Sequence, residues 1–307
     1  MPLSVSRAAH MLTVGLVLAV AGPVVTPGAA APTAPAAPAT SEVEPQHPVE
    51  DRYRGAGPWA VATRTVDIPD GLTFTVASPR ALGRDGTRHP ILIWGNGTNA
   101  RPDQYAGVFR HLASWGFVVI GSSDTQQADG RSMLAALRHL LGANLDAASP
   151  FFGVLDPTRV GALGHSQGAG GAINAANGSG GLVDTVVPIN LPDARYVEQR
   201  GRFSVTELTT PTFFLGGGTD GLISTPGGLR GYYQRVPHGA LGVLRGADHL
   251  AIQRNKSGYL GYLTAWLRWH LLDDAYAASA FVGVDPKQTE FRRNPRWQNQ
   301  QAKGLTP

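Results

Sequence analysis

The sequence contains no cysteine, and this absence excludes several kinds of chemistry. The chain has no disulfide bond, no thiolate ligand for a metal, no cysteine for a lipid anchor and no cysteine nucleophile. With 307 residues, it can still fold without disulfide bonds, because a chain of this length buries a large hydrophobic core. A covalent mechanism would therefore have to use another nucleophile.

Charged residues are also scarce. They make up 16% of the chain and leave a formal net charge of +4, whereas apolar residues reach 42%. No stretch carries the dense basic run that is typical of nucleic-acid-binding surfaces. We therefore expect a globular protein with a sizeable core and no nucleic-acid partner.

The apolar segment at residues 11–22 is shorter than the roughly 20 residues that a membrane-spanning helix needs. Arg7 precedes this segment, and small residues follow it at Gly28, Ala29 and Ala30. This order is typical of a secretory signal peptide. We predict a signal peptide over residues 1–30, secretion of the protein and no membrane span.

The composition also predicts the limits of the folded part. Residues 31–51 begin with a stretch rich in proline, alanine and threonine, which indicates an extended linker. We place the folded domain at residues 52–286. Residues 287–307 are polar, and we expect them to form an irregular C-terminal tail.

Short apolar runs alternate with helical patterns along the predicted domain. The runs include ILIW, FVVIGSS, RVGALGHS, DTVVPINLP, TPTFFLGGG and LGVLRGADH, and they are apolar nearly throughout. Such runs are typical of parallel strands that are buried on both faces. Before them, VATRTVDI and LTFTVASP indicate an antiparallel hairpin. We predict one α/β domain with a mostly parallel central sheet flanked by helices.

The stretch GHSQG places Ser166 between a predicted strand and a helix rich in small residues. A sharp turn at this point leaves no room for side chains, which explains the flanking Gly164 and Gly168. Such a turn would expose the serine hydroxyl above the sheet. We predict that Ser166 is a nucleophile, with the N–H of Gln167 directed toward an oxyanion.

A serine hydroxyl needs a neighbouring base, and the base needs a carboxylate. Asp220 and His249 each follow a predicted strand, in the order serine, acid, histidine along the chain. The carboxyl ends of parallel strands share one edge of a sheet. We therefore predict a triad of Ser166, Asp220 and His249.

Other residues compete for these roles. Asp248 is an alternative acid, but its neighbour on the chain is His249 itself, and we interpret Asp248 as a loop or capping residue. Three other histidines are interpreted as structural: His111, His139 and His270. His165 adjoins Ser166 on the chain, and we expect its ring to point away from the serine hydroxyl.

A second oxyanion donor should follow the strand ILIW, where the chain reads Gly95, Asn96, Gly97 and Thr98. This small, turn-forming sequence can direct backbone N–H groups at a ligand. We predict the N–H of Asn96 as the donor, with Gly97 as the alternative. An ordinary turn into the next helix is the other interpretation.

With these residues placed, the chain resembles the bacterial cutinases and poly(ethylene terephthalate) hydrolases of the α/β-hydrolase superfamily. The resemblance rests on HLASWGFVVI, MLAALRHLLG, DPTRVGALGHSQGAGGAINAAN, TDGLIS and AWLRWHLLDD. It implies an α/β-hydrolase fold, a Ser-His-Asp triad at the predicted positions, and a secreted serine ester hydrolase that acts on esters or polyesters. It implies no metal and no cofactor. We expect a monomer, although the sequence leaves the oligomeric state open.

The chain also departs from the family's usual pattern. Gln167 stands where the family usually has methionine, and the stretch GNGT lacks the usual aromatic residue. The segment DARYVEQRGRFSVTEL looks longer than its counterpart. The missing aromatic residue keeps one alternative open, a small-molecule carboxylesterase or lactonase on the same scaffold. A second alternative is a non-catalytic surface-binding module displayed on the linker rich in proline and alanine.

Overall fold

A sheet of nine strands forms the centre of the described part of the chain, which in this computed structural model comprises residues 46–306 without 69–70 and 255–257. The strands are β1 (Val61–Asp67), β2 (Thr73–Pro79), β3 (His89–Gly95), β4 (Val118–Ser122), β5 (Leu155–His165), β6 (Thr185–Ile189), β7 (Thr212–Gly217), β8 (Gly239–Leu244) and β9 (Trp297–Lys303). The helices are α1 (Pro48–Arg54), α2 (Ala106–Ser114), α3 (Arg131–Ala143), α4 (Gln167–Asn177), α5 (Pro226–Tyr233), α6 (Leu260–Leu272), α7 (Ala275–Ala278) and α8 (Glu290–Arg293).

The strand order is β1-β2-β4-β3-β5-β6-β7-β8-β9. Strands β3 to β8 pair in parallel, and β1, β2 and β9 are antiparallel to their neighbours. The predicted opening hairpin is β1 and β2. The prediction of a mostly parallel central sheet is confirmed, and all six parallel strands end at the same edge.

Both faces of the sheet are covered, which explains why the parallel strands are apolar at successive positions. In β3, Leu92 and Trp94 face a core that contains residues of α2 and α6. Ile91 and Ile93 face the opposite core, with residues of α3, α4 and α5. Because successive side chains of a strand point to opposite faces, a strand buried on both sides must be apolar throughout.

The domain extends beyond the predicted limits at both ends. Helix α1 begins at Pro48, and its residues Val49 and Tyr53 are buried, so the predicted linker over 31–51 is too long. At the other end, Phe291 and Trp297 are buried, and β9 pairs with β8. The predicted irregular tail over 287–307 is therefore wrong.

Buried polar contacts join these two ends. Glu50 is 1% exposed; it accepts hydrogen bonds from the Trp297 indole at 2.8 Å and from the Asn294 amide at 2.8 Å, and Arg296 lies 3.0 Å from it. Strand β9 is an edge strand with its polar side chains half buried, so its sequence WQNQQAK lacks the apolar run by which the other strands were recognised.

The predicted signal peptide, and the predicted linker up to residue 45, lie outside the described residues. Within the described part, no helix is long and apolar enough to cross a membrane. The same part contains no group of three or more histidine, aspartate or glutamate side chains that could hold a metal ion.

Candidate active site

Ser166 occupies the turn between β5 and α4 in a backbone conformation that side chains rarely adopt, with φ 55° and ψ −121°. Its N–H donates to the carbonyl of Ile189 at 2.9 Å, which ties the turn to β6. Strain of this kind persists only where surrounding structure enforces it. The turn holds Ser166 at the carboxyl edge of the sheet.

Three glycines allow the turn to exist. A Cβ atom on Gly164 would lie 2.0 Å from the carbonyl oxygen of Gly168, and a Cβ atom on Gly168 would lie 2.3 Å from the carbonyl carbon of Gly95. Helix α4 therefore begins in direct backbone contact with the end of β3. Only glycine fits at these positions, which agrees with the explanation given for Gly164 and Gly168 from the sequence.

The structure brings the three predicted triad residues together from separate loops. The Nε2 atom of His249, after β8, lies 2.9 Å from the Oγ atom of Ser166. The Nδ1 atom of His249 lies 2.5 Å from a carboxylate oxygen of Asp220, after β7. In this arrangement Nδ1–H donates to the carboxylate, which leaves Nε2 free to accept the serine proton.

Asp220 is held by its own contacts. It is 5% exposed, and its second oxygen accepts from the N–H groups of Ile223 and Ser224, each at 3.3 Å. Burial alone would raise the pKa of this carboxyl, but the hydrogen bonds from His249 and the two N–H groups outweigh it and lower the pKa below its usual value. Asp220 is therefore ionised at neutral pH.

His165 supports the backbone at His249. Its ring nitrogens contact groups other than the Ser166 hydroxyl, in line with the predicted orientation of the ring. It is 1% exposed, and burial lowers its pKa to about 3, so the ring is neutral. Its Nε2–H donates to the backbone carbonyl of His249 at 2.7 Å. Its Nδ1 accepts from the Tyr105 hydroxyl at 2.9 Å. Asn190 donates to the same His249 carbonyl at 2.8 Å.

The other candidate residues have structural partners. Asp248 accepts from the N–H of Leu250 at 3.0 Å and pairs with Arg254 at 2.7 Å, in line with its interpretation as a loop residue. His111 lies 2.9 Å from the Thr264 hydroxyl, and the His270 ring stacks on Trp269. These rings lie outside the hydrogen-bond chain of Ser166, His249 and Asp220.

The predicted second oxyanion donor does not fit the structure. The N–H of Asn96 already donates to the side-chain oxygen of Gln127 at 3.0 Å, and Asn96 is fully buried. The alternative, the N–H of Gly97, donates to the Tyr105 hydroxyl at 2.9 Å. Both assignments are contradicted, because each hydrogen atom is used inside the protein.

Thr98, one position further along the chain, was not predicted as a donor from the sequence. It lines the same cleft as Ser166 and Gln167. Among the described residues, no acceptor contacts its N–H. The stretch GNGT contains this loop, but choosing among its N–H groups requires the positions of Gln127 and Tyr105, which come from elsewhere in the chain.

Gln167 begins α4, where the first N–H groups of a helix lack intrahelical partners. Its side chain lies in the cleft. The oxygen accepts from the N–H of Gln127 at 3.0 Å, and the nitrogen donates to the Gln126 side chain at 2.9 Å. Gln126 in turn donates to Asn99 at 3.2 Å. These amides connect the loop of Thr98 with the start of α4.

The Ser166 hydroxyl opens into a cleft of about 430 Å³. Its lining is mixed: Gln126, Asp129 and Arg200 contribute polar groups, and Phe203 and Ile223 contribute apolar ones. This volume falls within the range of small-molecule sites in proteins.

The comparison with known proteins agrees with the sheet described above. A family profile described as PETase, PET hydrolase-like, matches residues 38–300. The chain belongs to the PET hydrolase-like family. The predicted resemblance, the α/β-hydrolase fold and the prediction of a carboxylic-ester hydrolase are thereby confirmed. The matched range also includes the N-terminal helix and most of β9.

Individual relatives are distant. The chain is 29% identical over 231 residues to a bis(hydroxyethyl) terephthalate hydrolase of Streptomyces coelicolor, covering 71% of this chain and 69% of that protein. It is 25% identical over 216 residues to cutinase est2 of Thermobifida alba, covering 68% and 65%. It is 25% identical over 240 residues to cutinase est1 of the same organism, covering 71% and 74%.

Proposed function

We propose that this protein is a secreted serine ester hydrolase that acts through a Ser166-His249-Asp220 triad and an acyl-enzyme intermediate. The observation that carries the proposal is the continuous hydrogen-bond chain from the Ser166 hydroxyl through His249 to the Asp220 carboxylate. The names of the relatives, cutinases and a terephthalate ester hydrolase, support ester and polyester substrates.

In the first half of the reaction, the Oγ atom of Ser166 bonds to the ester carbonyl carbon while His249 takes its proton. His249 then delivers this proton to the leaving alcohol as the carbon–oxygen bond breaks. Asp220 holds the imidazole in the required tautomer and stabilises its positive charge. In the second half, water bonds to the acyl carbon while His249 takes a proton from it. His249 then returns this proton to the Oγ atom of Ser166 as the Oγ–carbon bond breaks and the carboxylic acid leaves.

We assign the oxyanion to the backbone N–H groups of Gln167 and Thr98. Both residues line the cleft beside Ser166, and Gln167 stands at the positive end of α4. Donors that are held in place before the reaction stabilise the developing charge without reorganisation, and one such donor contributes about 10²–10³ in turnover. Thr98 replaces Asn96 in this assignment.

The test is the Ser166→Ala variant assayed on p-nitrophenyl butyrate. We expect a loss of about 10⁴-fold or more in kcat, because the nucleophile is removed. Ser204→Ala serves as the control, since its hydroxyl contacts Thr206 outside the cleft lining. A fluorophosphonate probe should label wild type but not Ser166→Ala. Wild type that resists the probe and hydrolyses no ester would instead favour a surface-binding module.

Secretion is part of the proposal and has a separate test. The signal sequence predicts that the mature protein starts near residue 31. N-terminal sequencing of protein recovered from the culture medium should find this start. Protein retained in the cell with Met1 intact would contradict secretion and leave the catalytic proposal unaffected.

The mixed polar lining of the cleft favours a second candidate, a carboxylesterase for small soluble molecules. The two candidates differ in their action on a polyester film. Release of soluble products from the film supports a polyester hydrolase, whereas hydrolysis restricted to dissolved esters supports the carboxylesterase.

A further inference from the structure

One face of α4 forms the floor of the cleft. Gln167 and Gly170 line the cleft beside Ser166. Asn174 and Asn177 continue the same face, because residues three or four positions apart lie above one another on a helix. The acyl or alcohol part of an ester that leaves Ser166 along this face, here called the substrate arm, is therefore directed past Gly170 toward Asn174.

Two segments form the walls above this floor. The first wall is the loop at 124–130, which follows β4. The second wall is the segment at 193–208, which follows β6 and contains three short 3-10 turns: Ala194–Tyr196, Gln199–Gly201 and Val205–Glu207. Both walls contribute residues to the cleft.

The two walls meet over Asn174. The side-chain amide of Asn174 donates to the carbonyl of Ala128 at 2.8 Å and to the carbonyl of Arg202 at 3.1 Å, one from each wall. Gly201 lies so close to Ala128 that a Cβ atom on Gly201 would be 2.6 Å from the Ala128 side chain. Arg200 and Asp129 add an ion pair at 3.5 Å. The cleft is therefore closed at this junction.

The second wall is also anchored to α4 on both sides of the junction. The Phe203 ring packs where a Cβ atom on Gly170 would be, at 2.9 Å, and its centroid lies 5.4 Å from that of Tyr232. The amide of Asn177 donates to the carbonyl of Ser204 at 2.9 Å. Phe203 thus holds the 193–208 segment to α4 on the Ser166 side of the junction, and Asn177 holds it on the far side.

We infer that this enzyme acts on short soluble esters and on the terminal units of longer chains, because the ester arm that lies along α4 must end at the junction of the two walls. The inference rests on the proposed function and names its substrate class. From Ser166 to Asn174 the helix rises by about 12 Å. This distance is an upper limit for the arm, because the Phe203 ring already covers Gly170. To cleave an ester bond in the interior of a polymer, the enzyme would need an opening at this end of the cleft through which the rest of the polymer chain could leave.

The experiment measures how kcat/KM depends on length in two series of soluble esters. One series lengthens the acyl part from acetate to dodecanoate, and the other lengthens the alcohol part of acetate esters over the same range. We expect a sharp fall, of tenfold or more, beyond one chain length in the series whose variable arm lies along α4.

The Arg200→Ala, Asn174→Ala double variant removes the ion pair and the amide that joins both walls. In the affected series, we expect its ratio of kcat/KM for long esters to that for short esters to rise at least fivefold. Arg131→Ala is the matched control. Arg131 pairs with the same Asp129 at 3.0 Å but lies outside the cleft lining, so its length profile should match that of wild type.

Two results would overturn the inference: a flat length profile in both series for wild type, or an unchanged profile in the double variant. Thermal unfolding and fluorophosphonate labelling establish that the variant is folded. Failure of the proposed function gives a different result, namely no hydrolysis of any ester by wild type, and the inference fails with it.

Discussion

The support behind the triad and the walls of the cleft are built in different ways. His165 and Asp220 are 1% and 5% exposed, and hydrogen bonds within the protein hold both. In the Arg200–Asp129 pair of the walls, the arginine side chain is 75% exposed. Buried hydrogen bonds are costly to break, whereas an exposed ion pair contributes about 0–1 kcal/mol. The groups of the proposed triad are therefore more rigidly held than the ion pair at the boundary that we propose limits the substrate.

The same difference separates the residues of the proposed reaction from the segment that we propose limits the substrate. The triad side chains come from loops that directly follow strands of the buried sheet, so the core fixes their positions. The 193–208 segment is longer than a simple connection and consists of short turns over the surface of α4. Changes in that segment can alter the closed end without moving Ser166, His249 or Asp220.

The largest expected effect is that of Gly168→Ala beneath the nucleophile. The new Cβ atom would lie 2.3 Å from the backbone of Gly95, so α4 or β3 must move. We expect a loss of about 3 kcal/mol or more in the free energy of unfolding and a large loss of turnover. Urea unfolding and ester hydrolysis measure the two effects.

Gly142→Ala is the matched control, since a Cβ atom on Gly142 in α3 meets nothing within 4 Å. Alanine in a helix interior is favoured over glycine by about 0.5–1 kcal/mol, so this variant should be as stable as wild type or more so. Equal effects of the two substitutions would contradict the close contact between α4 and β3.

His165→Phe tests the support of His249. The variant removes the donor to the His249 carbonyl and the acceptor for Tyr105. We expect kcat to fall about 10–100-fold with KM changed less than threefold, because a small displacement of the base affects the reaction more than substrate binding.

Tyr105→Phe keeps the ring of Tyr105 and removes the hydroxyl that contacts Gly97 and His165. It should lower kcat by a smaller factor than His165→Phe does, again with little change in KM. If His165→Phe lowers only stability and leaves kcat intact, the role of His165 is structural and not positional.

As the pH falls, the free energy of unfolding should decrease at pH values above those at which the Asp220 carboxylate is protonated. Burial lowers the pKa of His165 to about 3 and those of His111 and His270 to about 4, below their usual value near 6.5. Below pH 6.5 the unfolded chain binds protons that the folded chain does not, so stability falls as the pH falls. We expect a loss of about 2–4 kcal/mol between pH 7.5 and 5.5.

Urea unfolding at the two pH values measures this loss. His270→Phe removes one of these three rings and should reduce the loss by about 1 kcal/mol. Asp220 acts in a lower window: its folded pKa is depressed, so its stabilising contribution is present above about pH 4 and is lost below it. Identical stability at pH 7.5 and 5.5 would contradict the conclusion that these histidines stay neutral in the folded protein.

The smallest expected effect belongs to the exposed wall. Arg200→Ala alone should change the free energy of unfolding by less than about 1 kcal/mol. The rate of labelling by a small fluorophosphonate should stay within twofold of wild type, because the contacts of Ser166 and His249 are unchanged. A loss of several kcal/mol in the free energy of unfolding would show that the wall is held as firmly as the residues around the triad.

The positions of the triad residues could be predicted because the relevant signals are local. Glycine on both sides of Ser166, and a carboxylate or histidine just after a buried strand, are visible in short stretches of sequence. Parallel strands then place these ends at one edge, whatever the details of packing. The order of elements and the buried sheet follow from the same local patterns.

Only the tertiary structure decided the remainder, since it depends on partners that are distant in the chain. The N–H groups of Asn96 and Gly97 are used by Gln127 and Tyr105, which leaves Thr98 facing the cleft. The polar strand β9 is a strand because β8 offers it a free edge, and its own sequence carries no apolar run. The closed end of the cleft exists because Asn174 joins two segments that are separated by more than sixty residues.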